Sequence, residues 1–372
     1  MVNEKIMKNY DVIFIGTSII CVLEAVYQNL CGKSVLMIDR QDKMGGAWAS
    51  LNLFGLHDVE NAIHYFLPDP YAFEFMRNVL KFNIIHSPKK YRLLPLLFGK
   101  CLKLRFDSKL GRCLAGIQEC IQYSKKEDIP KKVLRLFKDV FLKPRSPSYY
   151  VDGGTPEMLK KVRTILASSS VKIKHSTFIE HIHIDTNTQT VEVFIGKKKL
   201  VSKNIYFTNS SRIPRLTSPL GVFYVNEKKC LRPTLHLLVS DDSPSFMYEC
   251  VLTCDPFIKY VHDITHFTKE SVQLKGKKKV LVLALQHHIK KSKKLYKLLM
   301  HNLKKIGMIG KNAKREAQYW QDIYLPCLND SDLERLKSEF GSQVEILKTE
   351  NFTKSIGCHA KRWAEKIRFP ET

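Results

Sequence analysis

Three residues near the N-terminus, Gly16, Ser18 and Asp39, have the spacing that a dinucleotide-binding turn requires. Gly16 directly follows the apolar run 12–15, and Ser18 and Cys21 stand where the G-x-G-x-x-G fingerprint has its second and third glycines. Asp39 lies 23 residues beyond Gly16, where a carboxylate accepts the ribose hydroxyls of an adenosine. The spacing predicts a dinucleotide site formed by Gly16, Ser18 and Asp39. A nucleotide-free version of the same fold is the alternative, because two of the three glycines are absent.

A strand, a helix and a second strand within residues 11–39 must position these groups. The helix is predicted from about Ile19 to Leu30, because apolar residues recur there every three or four positions. Gly32 follows at the position where a left-handed residue ends many helices, and residues 34–40 predict a second buried strand that ends in an acid. These lengths predict the start of a parallel sheet whose first turn binds the pyrophosphate through helix amides.

The rest of the chain alternates between helical and strand-like patterns. Residues 64–146 are mostly helical in pattern, and 148–167 predict a turn followed by a helix that Thr155 caps. A basic helix over about 288–306 precedes a closing strand and helix. Strand-like runs occupy 171–175, 180–185, 190–195, 204–209 and several stretches of 219–285.

The composition is that of a globular protein with a strongly positive charge. Hydrophobic residues make up 44% of the 372 residues, and the formal net charge is +25. No apolar run approaches the roughly 20 residues of a membrane helix, and no signal peptide is recognised, so we expect a cytoplasmic protein. None of the ten cysteines forms a C-x-x-C pair, so we expect free thiols and no metal site.

The positive charge either favours anionic partners or reflects lysines on every solvated face. No helix-turn-helix pattern, RNP aromatic motif or zinc finger accompanies it, so we expect no specific nucleic-acid partner. The segments 287–307 and 91–106 are basic and amphipathic, which leaves two interpretations open. In the first interpretation the two segments make peripheral contact with an anionic membrane. In the second, their apolar side faces the protein core.

A pair of glycines follows the acid: Gly45, Gly46 and Trp48 come shortly after Asp39 and Arg40. This order resembles the N-terminus of the FAD-binding superfamily that includes flavin amine oxidases, protoporphyrinogen oxidase, phytoene desaturase, UDP-galactopyranose mutase and the Rab GDP-dissociation inhibitors. The resemblance implies FAD as the cofactor, with Asp39 on its ribose and the backbone of Gly45 and Gly46 against its flavin-side phosphates.

The same resemblance assigns the other cofactor-binding positions. Gly16 and Ser18 correspond to the cofactor-binding residues of the family's first turn, and Arg40 corresponds to the cofactor-binding residue after its second strand. Ile179 corresponds to the residue that lies against the adenine, and Thr208 ends the strand beside the adenosine.

His64 stands where a histidine of the family approaches the flavin, and it is the one candidate catalytic residue. The resemblance covers about residues 10–65 and 148–215. The C-terminal part departs from the pattern, because residues 344–363 lack the Gly-Asp whose acid meets the ribitol chain of FAD. Glu350 is the acid nearest to that place.

The resemblance implies an α/β protein with a Rossmann-like FAD-binding domain and an inserted helical plus antiparallel-sheet substrate domain. The FAD-binding domain is expected from three separate segments, 1–65, 148–215 and 340–372. The substrate domain is expected from residues 66–147 and 216–339.

Three functions are compatible with these features. The first is an FAD-dependent oxidoreductase that oxidises a small or lipophilic organic substrate by hydride transfer to the flavin. His64, Tyr248, Tyr260 and His262 are then the candidate polar groups of a substrate pocket. The alternative is a non-redox binding protein like the Rab GDP-dissociation inhibitors, and the second alternative is a flavin-dependent sugar-nucleotide mutase, whose diphosphate substrate would suit a basic chain.

Overall fold

The structure is a computed structural model of the chain of 372 residues. Tyr248 and Glu350 lie outside the residues it describes. The described residues are 8–61, 64–86, 91–95, 101–105, 108–110, 112–113, 117, 128–142, 148–208, 215–219, 221–223, 228–243, 249–252, 257–268, 270–286, 288–327, 330–349 and 351–370.

The strands among the described residues make up two large sheets and two small ones. In chain order the strands are β1 (Lys8–Ile15), β2 (Val35–Ile38), β3 (Leu51–Leu53), β4 (Leu56–Val59), β5 (Ile84–His86), β6 (Tyr91–Pro95), β7 (Cys101–Arg105), β8 (Tyr149–Val151), β9 (Lys172–Lys174), β10 (His181–Asp185), β11 (Thr190–Ile195), β12 (Lys198–Thr208), β13 (Arg215–Ser218), β14 (Gly221–Phe223), β15 (Lys228–Ser240), β16 (Glu249–Leu252), β17 (Ile258–Asp263), β18 (Lys278–Leu285), β19 (Lys314–Cys327) and β20 (Val344–Leu347).

Helices cover the sheets and connect their strands. Those whose bounds the structure describes are α1 (Ile19–Leu30), α2 (Pro70–Asn78), α3 (Ile129–Leu142), α4 (Gly154–Ala167), α5 (Ser271–Leu274), α6 (Lys293–Lys305), α7 (Asp330–Phe340) and α8 (Phe352–Lys366), with 3₁₀ turns at Gly46–Trp48, Thr265–Phe267 and Gly341–Gln343.

The first sheet contains a parallel region centred on β1. Strand β1 pairs in parallel with β2 on one side and with β12 on the other, β2 continues to β9, and β12 also pairs with β20. The chain runs from β1 outward through β2 and β9 and then returns to β12 on the other side of β1. The carboxyl end of β1 is therefore a topological switch point, where open α/β sheets bind their ligands. Strands β11, β10, β13 and β14 extend this sheet beyond β12 in that order, and they pair antiparallel except between β10 and β13.

Alternating residues of β1 enter two hydrophobic cores, because successive side chains of a strand point to opposite faces. Val12 and Phe14 pack on one face with residues of α1, α2, α4 and α8. Ile13 and Ile15 pack on the other face with residues of β10 to β12 and with α7. The helix predicted from Ile19 to Leu30 has those bounds in the structure.

Buried polar contacts fix α1 against α8. The Glu24 carboxylate is fully buried, and its Oε2 accepts hydrogen bonds from Trp363 Nε1 at 2.8 Å and from the Arg362 guanidinium at 2.6 Å. A buried charge needs such pairing to be tolerated, so this contact orients α8, whose first residues lie near the candidate site.

The second sheet has the strand order β19-β15-β18-β17-β16-β6-β7 and is antiparallel except between β16 and β6. Helix α6 covers part of it: Leu295, Tyr296, Leu299 and Leu303 are buried in the hydrophobic core that this sheet forms. The apolar side of the basic helix therefore faces the core, as the second interpretation of 287–307 expects. No helix among the described residues has the length and apolar composition to cross a membrane.

The helical prediction for residues 64–146 is wrong in part. Residues 91–95 and 101–105 form the antiparallel pair β6–β7, and β6 adds to the edge strand β16. The alternation of residue types in 101–105 matches a strand period of two, and pairing with an existing sheet edge satisfies the backbone. The domain boundaries given above stay a prediction.

Candidate functional site

The candidate site lies at the carboxyl ends of β1, β2 and β12. Gly16 adopts φ +93°, a left-handed conformation that glycine reaches without steric cost, and its N–H donates to Ile38 O at 2.8 Å. Thr208 follows the Ile15–Phe207 pair by one position, so it lies opposite Gly16 on the neighbouring strand. Three predicted elements thus meet at one edge of the sheet.

Asp39 ties the ends of β1 and β2 together. Its Oδ2 accepts hydrogen bonds from the Thr17 amide at 2.8 Å and the Thr17 hydroxyl at 2.5 Å, and its Oδ1 accepts from the Gln41 amide at 2.8 Å. The carboxylate is nearly buried, at 8% exposure, so three donors replace most of its water. One lone pair of Oδ1 stays available for a hydroxyl donor.

The N-terminus of α1 presents free amides at this edge. Ser18 is the N-cap residue, and its Oγ accepts from the Cys21 amide at a long 3.3 Å. The amides of Ser18, Ile19 and Ile20 have no acceptor among the described residues. Helix-terminal N–H groups and the helix dipole together favour a bound anion.

The glycine pair lies directly over this helix terminus. The Gly45 amide donates to Thr17 O at 3.0 Å, and a Cβ on Gly45 would lie 3.0 Å from Leu159 Cδ2. Gly46 has φ +58°, and a Cβ there would lie 3.7 Å from Ser18 Cα and Cβ. The missing Gly46 side chain therefore leaves space beside the free amides, which fits a bound pyrophosphate.

Arg40 and Ile179 flank this arrangement on the β9 side. The Thr177 amide donates to Asp39 O at 2.9 Å, which draws the segment after β9 toward the end of β2. Arg40 is exposed, with its guanidinium 5.5 Å from the centre of the Phe178 ring, and Ile179 is buried. The structure thus brings Gly16, Ser18, Asp39, Gly45 and Gly46 together and places Arg40, Ile179 and Thr208 around them.

Aromatic side chains from three segments cluster beyond the glycine pair. The Trp48 ring stacks on His64 with ring centres 4.1 Å apart, and it contacts Phe352 at 4.3 Å and Phe66 at 5.9 Å. Phe352 is the first residue of α8, so the cluster joins the glycine loop to the last helix. Sequence analysis missed this cluster, because Trp48 and Phe352 are 304 positions apart.

His64 is connected to a buried acid. Its Nδ1 lies 3.1 Å from Thr155 Oγ1, and the Thr155 amide donates to Glu60 Oε1. Thr155 is therefore not the helix cap that its position predicts: α4 starts at Gly154, and its N-cap residue Gly153 has φ +80°. Glu60 is 2% exposed, and burial raises its pKa to about 7.

His236 of the second sheet reaches the same buried region. The backbone carbonyls of Glu60 and Asn61 face its ring, although neither ring nitrogen completes a hydrogen bond within the described parts of the chain. Burial lowers the pKa of His236 to about 4, so the ring is neutral near neutral pH. Glu60 Oε2 and Asn61 Oδ1 also lack a hydrogen-bond partner among the described residues.

Comparison of the structure with solved structures shows which known fold the chain has. No family model matches the chain. Putrescine oxidase bound to putrescine superposes with a TM-score of 0.65 at 12% identity, over 97% of this chain and 98% of that one. The Rab GDI of Plasmodium falciparum superposes with a TM-score of 0.53 at 11% identity, over 99% of this chain and all of that one. The chain has the fold of the FAD-binding amine oxidase-like proteins.

A sequence comparison adds a short match to a relative with this fold. A Rab GDP-dissociation inhibitor of Pyricularia oryzae is 52% identical over 54 residues, which are 14% of this chain and 11% of that protein. The matched segment therefore spans about one ninth of the curated relative's length. The predicted fold class and the predicted resemblance are confirmed at the level of the fold.

Two of the remaining candidate polar groups, Tyr260 and His262, lie on the second sheet. Tyr260 and His262 belong to β17, with ring centres 6.4 Å apart. Tyr248 lies outside the described residues. Within the described parts of the chain, no three histidine, cysteine or acidic side chains gather as metal ligands.

Proposed function

We propose that this protein is an FAD-dependent oxidoreductase. The observation that carries the proposal is the set of free amides at Ser18, Ile19 and Ile20 beside Gly46, at the switch point of the parallel sheet. These groups would receive the pyrophosphate of FAD. Oδ1 of Asp39 would accept a ribose hydroxyl with its remaining lone pair.

Arg40, Ile179 and Thr208 would flank the adenosine half of the cofactor. Ile179 and Thr208 are buried, and Arg40 is exposed. The flavin half would extend beyond Gly46, toward the cluster of Trp48 and His64.

Bound FAD would supply the hydride acceptor, and the side chains of this chain would orient the substrate and exclude water. The aromatic rings of Trp48 and Phe352 would line the flavin side of the site, with His64 as the polar group beside them. Such walls favour a small or lipophilic organic substrate that offers a hydrogen-bonding group to His64.

One observation favours a second candidate, a non-redox binding protein of the Rab GDP-dissociation inhibitor kind. The 52% identity over 54 residues is to such an inhibitor. A binding protein of this kind would not need the free amides at Ser18 to Ile20 for its activity. FAD binding therefore separates the two candidates. The sugar-nucleotide mutase alternative has no observation of its own among the described residues.

Two matched substitutions test the proposal. Ser18→Asp keeps a good N-cap residue on α1 but places a negative charge beside the proposed pyrophosphate site. Ser292→Asp makes the same change at the N-cap of α6, where Ser292 Oγ accepts from the Leu295 amide at 3.2 Å. FAD affinity, measured by titration, is expected to fall at least about tenfold in Ser18→Asp and to stay unchanged in Ser292→Asp. Equal affinities in both variants would contradict the proposed site.

A further inference from the structure

Helix α3 has apolar residues on two adjacent sides, and the first of these sides faces inward. Its residues recur at spacings of four, three and four positions, which places them on one face of a helix. They are Ile129, Val133, Leu136 and Val140. Val140 is buried at 4% exposure, and the other three are partly buried. This side of α3 therefore packs against the rest of the protein.

The second row of apolar residues on α3 is exposed. Pro130, Leu134 and Phe137 lie four and three positions apart, so they are neighbours on the surface of the helix. Leu134 is 61% exposed and Phe137 is 39% exposed, and Pro130 is exposed as well. Single exposed apolar side chains are common on protein surfaces. An adjacent set with a charged rim is instead typical of an interaction site.

Basic side chains border the exposed row. Lys131 lies three positions before Leu134 and Lys138 lies four positions after it, so both lysines are neighbours of Leu134 on the helix surface. Both lysines and Arg135 are exposed. The sequence of α3 contains four basic residues and one acidic residue, Asp139. The exposed row therefore has a positive border.

Helix α6 is also basic, but its apolar residues are arranged differently. Leu295, Leu299 and Leu303 are buried in the core of the second sheet, and Leu298 is 37% exposed between lysines. A basic composition thus does not by itself leave a row of apolar residues exposed. The arrangement on α3 is a feature of that helix, and α6 offers matched control positions.

We propose that α3 is a docking surface for an anionic lipid membrane. Leu134 and Phe137 would enter the boundary between the headgroups and the acyl chains, as the apolar side of an interfacial helix does. The basic residues beside them would contact the negative groups of the lipids. The net charge of +25 draws the whole chain toward such a surface. A nucleic acid would pair with the cations, but its phosphate backbone offers no apolar contact to Leu134, which favours the membrane.

The test measures the binding of the purified protein to sedimenting lipid vesicles. The wild type is expected to bind vesicles of phosphatidylcholine with phosphatidylserine, to leave vesicles of phosphatidylcholine alone unbound, and to be released as the salt concentration rises. No binding to the vesicles that contain phosphatidylserine would overturn the proposal. Binding to a DNA oligonucleotide without binding to either kind of vesicle would also overturn it and would assign the basic surface to nucleic acid.

Two matched pairs of variants locate the contact on α3. Leu134→Gln is expected to lower the affinity for the anionic vesicles about tenfold, whereas Leu298→Gln on α6 should leave it unchanged. Lys131→Glu combined with Lys138→Glu is expected to lower it at least about tenfold. The same change of net charge on α6, in Lys294→Glu combined with Lys297→Glu, should have a smaller effect. Equal effects on the two helices would contradict a contact made by α3.

A fluorescence measurement keeps the test independent of any loss of stability in these variants. Phe137→Trp retains a large aromatic side chain at the exposed row, and Leu298→Trp places the same probe on α6. The emission of Phe137→Trp is expected to shift to shorter wavelength when anionic vesicles are added, because the indole leaves water. The emission of Leu298→Trp should not shift. An unchanged emission of Phe137→Trp in the presence of bound vesicles would overturn the proposal.

Membrane docking by α3 and the proposed function are tested separately. Vesicle binding is measured without FAD, and FAD affinity is measured without lipid. Docking in a protein that binds no FAD would leave the α3 surface in place and remove only the oxidoreductase.

Discussion

The amide and the hydroxyl of Thr17 both donate to the same oxygen of Asp39, at 2.8 and 2.5 Å. This pair closes the turn between β1 and α1 over the end of β2 and leaves Oδ1 of Asp39 with one amide donor. The same carboxylate thus stabilises the turn and retains acceptor capacity for a ribose. Because Gly45 donates to Thr17 O at 3.0 Å, the glycine pair is fixed to this turn as well.

Ser18→Gly is expected to strengthen FAD binding. The substitution restores the second glycine of the dinucleotide fingerprint and allows closer approach of the pyrophosphate to the backbone. It removes the Ser18 N-cap, which costs only a few tenths of a kcal/mol when glycine takes that place. Titration with FAD and thermal unfolding measure the two effects, and Ser292→Gly on α6 is the control for the loss of a cap. Weaker FAD binding in Ser18→Gly would contradict the assigned role.

Gly46→Ala is expected to weaken FAD binding about tenfold. The added Cβ would occupy the space beside Ser18 that the pyrophosphate needs. Gly196→Ala is the matched control, because Gly46 and Gly196 have φ +58° and +57° and a Cβ on Gly196 meets nothing within 4 Å. Both variants should lose roughly 1–2 kcal/mol of unfolding free energy from the left-handed backbone. An equal FAD affinity in the two variants would show that the space beside Ser18 is not used.

Glu60→Gln is expected to change the pH dependence of stability. The pKa of Glu60 is about 7 in the folded protein against an ordinary 4.5, so the folded state holds the proton more tightly than the unfolded chain. Wild-type stability should therefore fall relative to Glu60→Gln as the pH rises from 4.5 to about 7, by about 3 kcal/mol in all. Chemical unfolding of both proteins across this range measures it. Parallel pH profiles would contradict the burial of a titrating acid.

The buried pair of Lys279 and Asp241 is expected to dominate the electrostatic stability of the second sheet. Lys279 Nζ lies 2.9 Å from Asp241 Oδ2, and the two side chains are 2% and 0% exposed. Lys279→Met would leave the carboxylate buried without its partner, at a cost of about 3–5 kcal/mol. Lys203→Met removes the exposed partner of Asp11 and should cost less than about 1 kcal/mol. Denaturant unfolding compares the two variants, and equal losses would contradict the difference in burial.

The same pair predicts acid sensitivity. Burial opposes ionisation of Asp241, but hydrogen bonds from Lys279 and Ser243 outweigh it and hold the pKa of the carboxyl below its ordinary 3.8. This contribution to stability is present above pH 3.8 and is lost as the pH falls through the lower folded pKa. The loss should be absent from Lys279→Met, which an acid titration of both proteins checks.

The parallel part of the fold was predictable because its signals are local. Four buried residues before Gly16, an apolar helix period up to Leu30 and a second apolar run before Asp39 each specify one element. Strand β6 was not predictable in the same way, since its short run of residues 91–95 has no clear period and fits a helix or a strand. Pairing with β16, which lies about 150 positions later, decides between them.

The candidate site likewise has a part that the sequence predicts and a part that it does not. Gly16, Ser18, Asp39 and the glycine pair are adjacent in the sequence and meet at one turn. The stacking of Trp48 with His64 and Phe352, and the contact of Thr155 with Glu60, join segments that only the tertiary fold brings together. Thr155 shows the limit directly: its type and position indicate a helix cap, but its hydroxyl contacts His64 instead.

A titration of the purified wild-type protein with FAD, followed by the visible absorption of the flavin, tests the central claim most directly. The account predicts saturable binding of one FAD per chain, with flavin bands that bleach under a mild reductant and a lower affinity in Ser18→Asp. A colourless protein with no saturable binding of FAD would contradict the claim. The free amides of α1 would then belong to a binding protein that has kept the fold without the cofactor.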